Sequence, residues 1–169
     1  MKTRILLIIA FLTITTVAFG QQKADWNSWS WLMGEWVGEG SGQPGQGGGT
    51  FSFSYELDKN VIVRKSHSEY PATEQKPAVI HDDIMIVYPN VKEKSSQAIY
   101  FDNEGHVIHY QVTCSDKSIT LTSEKMDNAP VFRLIYTLLD NGMINTKFEM
   151  SRDGINFFTY IEGNSKKAH

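Results

Sequence analysis

From residue 35 onward, apolar and polar positions repeat with a period of two rather than 3.6. Phe51, Phe53, Tyr55 and Leu57 alternate with Ser52, Ser54 and Glu56, and Ile62, Arg64, Ser66 and Ser68 oppose Val63, Lys65, His67 and Glu69. Successive strand side chains point to opposite faces, so this alternation predicts strands with one face buried. It places strands at 35–40, 51–57, 61–70, 81–88, 96–101, 107–114, 118–123, 131–139, 143–150 and 155–161. The breaks at 57–60, 102–105, 115–117, 140–142 and 152–154 are rich in Asn, Asp and Gly, which accept the positive φ of tight hairpins, so each joins antiparallel neighbours. One short helix is predicted at 25–33, with Asp25 as its cap and Trp29, Leu32 and Met33 on one side.

Consecutive hairpins favour a meander, and closing it removes exposed sheet edges. The predicted fold class is therefore all-β: an antiparallel up-and-down barrel of about ten strands with a short N-terminal helix. A barrel of this size has room inside for a ligand. About 149 residues beyond the leader suit one domain with one core, so 21–169 is read as a single domain with its barrel over about 35–163.

Residues 1–20 read as an export signal, with Lys2 and Arg4 ahead of an apolar run and small residues near Gly20. The run is shorter than the roughly 20 residues of a membrane span. The expectation is an exported chain, periplasmic or secreted, with no membrane insertion after cleavage. Losing Lys2 and Arg4 leaves 14 basic residues against 19 acidic, a net charge of −5. That balance argues against nucleic acid as a partner. The single cysteine, Cys114, follows Tyr110 and Val112 on one face and is expected to be a buried apolar thiol.

All four tryptophans lie between residues 26 and 36, and Trp36 is flanked by Gly34 and Gly38. The segment 31–40 resembles the opening of the calycin group, the lipocalins and their relatives, in which a Gly-x-Trp lies on the first strand. More closely, segments 31–36, 99–110 and 150–163 resemble the DUF1579 family of secreted bacterial proteins of unknown function. The likeness covers most of 29–163 and implies a lipocalin-like barrel with Gly34, Trp36 and Gly38 as its structural plug. In lipocalins a basic side chain from late in the chain stacks on this tryptophan, and Arg152, Lys147 and Lys166 are the candidates here. The run Gly34 to Gly40 also resembles the start of nitrobindin-type haem barrels. Those hold iron through a late histidine, whereas this chain has none between Tyr110 and Ala168, so no cofactor is expected.

The candidate ligand-binding residues are Arg64, Arg133, Tyr136, Phe53, Tyr110 and His67. Arg133 lies in a strand that is apolar on both faces, where a guanidinium needs a partner. It pairs internally with Glu149 or Glu56, snorkels outward, or anchors a carboxylate ligand inside the barrel. Arg64 carries the same alternatives. The histidines His67, His81, His106 and His109 do not assemble the three or four convergent ligands of a zinc site, so no metal is expected. No triad, nucleophile elbow or phosphate loop is present, and no catalytic residue is assigned. The glycine-rich stretch 42–49 reads as a loop at the barrel mouth. The expected partner is a small hydrophobic or amphipathic molecule. The alternatives are an enzyme, an isomerase or hydrolase using a cavity His and carboxylate, and an envelope protein-interaction module.

Overall fold

A computed structural model describes residues 24–40, 49–74, 77–90, 93 and 95–168. The export signal and all but the last residue of the glycine-rich stretch lie outside the described residues. Among those described, ten strands form one closed antiparallel barrel. They are β1 (Gly34–Gly38), β2 (Thr50–Glu56), β3 (Val61–Tyr70), β4 (Val79–Asn90), β5 (Ser95–Asp102), β6 (Val107–Cys114), β7 (Ser118–Ser123), β8 (Val131–Leu138), β9 (Ile144–Ser151) and β10 (Phe158–Lys167). Each strand pairs with its neighbour in sequence, and β1 closes the ring by pairing with β10, Trp36 opposite Lys167. Among the described residues closure leaves no edge strand, each of the ten strands having a neighbour on both sides.

The expected β6 and β7 match the observed spans, whereas the last strand is displaced. It runs over Phe158–Lys167 instead of 155–161 because Asp153 holds the preceding turn. Its carboxylate accepts the backbone N–H of Ile155 and of Asn156, both at 2.8 Å, and these bonds also drive its pKa far below the usual carboxylate range. The polar tail from Glu162 to Lys167 carries little hydrophobic alternation, yet its backbone is the partner that β1 needs. The N-terminal segment is a 3-10 helix, Asn27–Leu32, rather than an α-helix. Asp25 accepts the Asn27 N–H at 3.0 Å.

The 3-10 helix covers one end of the barrel. Trp29 and Leu32 are buried against that end, Trp29 meets Phe53 with ring centroids 6.0 Å apart, and the Trp36 indole N–H donates to the Leu32 carbonyl at 2.9 Å. Beneath lie Ile62, Met85, Val87, Ile119, Leu121 and Ile144, all fully buried. Lys167 is the cation over Trp36, 5.4 Å from its ring. The expected candidates lie elsewhere: Lys166 faces Glu39 at 3.9 Å and Lys147 faces Glu162 at 3.5 Å. Only a β10 that runs on to Lys167 brings that side chain beneath Gly34, whose φ of +107° suits glycine. Cys114 corrects another expectation. It shares the face of Tyr110 and Val112 but ends its strand at the closed end beside Trp29, where it is exposed.

Candidate functional site

The packed core fills only the half of the barrel under the 3-10 helix. Toward the other end the inward side chains stop meeting, and a cavity of about 1030 Å³ remains. Pockets for small molecules span about 300–1,000 Å³, so this one lies at the upper end of that range. Its floor is aromatic: Phe51, Phe53 and Tyr136 are packed with centroids 5.4 to 6.0 Å apart. Phe51 lines the cavity, whereas Phe53 and Tyr136 lie beneath it and are fully buried.

The walls differ in chemistry. On one side Phe132, Leu134, Phe148, Met150 and Ile161 from β8, β9 and β10 face the space, with Phe132 and Phe148 stacked at 5.5 Å. Across from them β3, β4, β5 and β6 contribute Arg64, Asp83, His81, Tyr100 and Tyr110. Arg64 and Asp83 form an ion pair whose side chains are only 9% and 5% exposed. Burial alone would pull the Arg64 guanidinium down. The surrounding oxygens of Tyr136, Asp83, Tyr100 and Tyr110 outweigh it and keep Arg64 above its ordinary value. Burial raises the pKa of the Asp83 carboxyl from its ordinary value, with Arg64, His81 and a hydrogen bond from Ser66 pulling the other way. The Tyr136 hydroxyl is pushed up to about 12 by burial, and the hydroxyls of Tyr100 and Tyr110 also rise for that reason. All three phenols are therefore neutral donors near neutral pH.

Nearer the mouth, one hydrogen-bonded chain links four side chains. His81 Nδ1 lies 3.1 Å from Glu104, and its Nε2 lies 3.0 Å from the Tyr100 hydroxyl, which in turn donates to Asp102 at 3.2 Å. Burial favours a protonated Asp102, but the His106 backbone N–H, the His106 ring and the Glu104 N–H outweigh it and lower its pKa. The rim is mixed: Val79, Val107, Met126 and Tyr160 are exposed around the opening beside the exposed Glu104, His106 and Glu124.

The sequence-selected residues thus separate into three groups. Arg64 and Tyr110 lie on the cavity wall, and Phe53 and Tyr136 support its floor. Arg133 and His67 are not cavity residues. Arg133 points outward between the inward Phe132 and Leu134, where it bonds Glu149 at 2.6 Å and stacks on Phe157 at 3.9 Å. His67 lies on the outer face of β3 between Asp82 at 2.6 Å and Glu69 at 3.1 Å. Gly34 and Trp36 belong to the closed end, while Gly38 reaches the cavity wall. Sequence reasoning missed Asp83 and Tyr100. A signal was present for Asp83, a carboxylate on the same strand face as Met85 and Val87, but Ile84, Ile86 and Tyr88 make the opposite face equally apolar.

Among the described residues, no group of three or more His, Cys, Asp or Glu is placed to hold a metal ion. No protein-family model matches the chain, and no curated protein matches it.

Proposed function

We propose that this chain is an exported, lipocalin-like binding protein that takes a small apolar or amphipathic molecule into the open half of its barrel. The observation that carries the reading is the cavity of about 1030 Å³, with an apolar wall facing a wall that holds a buried ion pair and tyrosine hydroxyls. Mostly apolar walls with a few placed polar groups are the usual composition of small-molecule pockets. The exposed Val79, Val107, Met126 and Tyr160 continue the apolar surface to the rim, which suits an apolar ligand entering from that side better than a protein partner seated elsewhere on the barrel. The resemblance of segments 31–36, 99–110 and 150–163 to the secreted DUF1579 proteins supports export and the barrel family without specifying a ligand.

The test is uptake of Nile red, a neutral dye that brightens in apolar surroundings, together with solvent extraction and mass spectrometry of the purified protein. Saturable one-to-one dye binding is expected. Phe132→Arg, which places a charge on the apolar wall, should weaken it at least tenfold, while Arg133→Ala, one residue away and outward-facing, should leave it within twofold. No dye uptake and no extractable small molecule would overturn the reading.

One observation favours a second reading, acid–base catalysis. His81 is held between Glu104 and Tyr100 on the cavity wall, an arrangement that orients an imidazole for proton transfer. An isomerase or hydrolase would lose turnover in His81→Gln while keeping substrate affinity. A pure binding protein would show no turnover to lose.

A further inference from the structure

We propose that the cavity selects a neutral head group carrying both a donor and an acceptor, an alcohol or a primary amide on an apolar body, seated against the Arg64–Asp83 pair. This inference rests on the reading of the cavity as a ligand site and narrows the class of ligand.

Charge is the first constraint on the head group. A lone cavity arginine would call for a carboxylate ligand. Here Arg64 already has a counter-ion in Asp83, and the two lie together on the wall with almost no solvent exposure. A carboxylate or ammonium brought beside them would be a third charge with no partner in a desolvated place, which is costly. The hydrogen-bonding inventory gives the same answer by an independent route. A guanidinium only donates, and an ionised carboxylate only accepts. A ligand carboxylate could answer Arg64 but would repel Asp83, and an ammonium would do the reverse. A hydroxyl or amide answers both at once.

The surroundings suit a neutral polar group. The guanidinium lies 5.8 Å from the centre of the Phe51 ring, and the tyrosine hydroxyls nearby stay protonated. Among the described residues, Arg64 Nε and the Tyr136 hydroxyl are buried without a hydrogen-bond partner. Both atoms lie behind the cavity surface, so a ligand head would meet the parts of the Arg64 guanidinium and the Asp83 carboxylate that line the cavity. The apolar wall of Phe132, Leu134, Phe148 and Met150 lies across the cavity from this cluster, which sets the orientation of the ligand: head on Arg64 and Asp83, body along β8 and β9.

Displacement of Nile red by four molecules of equal chain length tests this: dodecanol, dodecanamide, dodecanoate and dodecylammonium, each below its aggregation threshold. The alcohol and amide are expected to displace the dye at concentrations at least tenfold lower than either ion. Dodecanoate or dodecylammonium binding as well as dodecanol would overturn the inference while leaving the cavity as a ligand site. If Nile red and all four molecules fail to bind, that reading falls as well. The wild-type ranking decides the matter without any variant. Asp83→Asn adds a second arm: with Arg64 left unbalanced, dodecanoate should gain at least tenfold relative to dodecanol. If this variant loses its circular dichroism signature, Arg64→Met replaces it, and the gain should then fall to dodecylammonium. An unchanged ranking in a folded variant would also count against the inference.

Discussion

At the scale of single residues, the two arginines show how much one change of strand face decides. Both lie in strands where a charge interrupts apolar neighbours, and both have a carboxylate partner. Arg64 shares its face with Ile62 and Ser66 and turns inward. Arg133 alternates with Phe132 and Leu134 and turns outward, where Phe157 covers it. That Arg64 needs a partner was legible in the sequence. The partner's identity was not, because Asp83 is 19 positions away and becomes a neighbour only through the β3–β4 register, with Ser66 opposite Asp83. His67 supplies a prediction at this scale. Its hydrogen bonds to Asp82 and then to Glu69 raise its pKa above 6.5. A raised folded-state value means that the protonated ring stabilises the fold. This contribution is fully present below the unfolded value and disappears as the pH rises through the folded one. An NMR titration should show the His67 ring titrating above 6.5, and Asp82→Asn should move it back down.

At the scale of elements, alternation found the strands well wherever one face meets the core, as β6 and β7 show. It failed for β10, whose last six residues are polar and are held by backbone pairing to β9 and β1. A strand defined by its backbone partners leaves little trace in side-chain periodicity. Gly49 shows a second constraint that acts through the backbone. It has φ +96°, its carbonyl accepts the Gly38 N–H at 2.8 Å, and a Cβ there would lie 2.0 Å from the His67 carbonyl oxygen. An alanine would have to push β2 away from β3 beside the cavity, in a conformation that side chains disfavour. Gly49→Ala should therefore cost at least about 2 kcal/mol in urea unfolding, in the range of the larger single-site effects. A cost below about 0.5 kcal/mol would show that this strand junction yields easily.

At the scale of the whole molecule, every strand is divided along its length: one end packs into the core under the 3-10 helix, and the other borders open space. Leu121 and Ser123 on β7, like Ile144 and Phe148 on β9, lie on either side of that division. Wall residues in the open half have few partner atoms across the cavity, so exchanging one apolar residue for another there leaves little void that was not already present. The tryptophans give this division an optical consequence. All four belong to the segment that seals the closed end, and none lines the cavity. Their ultraviolet emission is thus a gauge of whether the barrel is shut, and it is largely insensitive to what the barrel carries. Filling the cavity with dodecanol should leave the tryptophan emission maximum in place, to within about 2 nm, while urea shifts it to the red. A ligand-induced shift as large as that of unfolding would mean that the sealed end and the open end respond as one. If the emission stays fixed, a single cuvette can follow the integrity of the barrel in one channel and its cargo, through Nile red, in another.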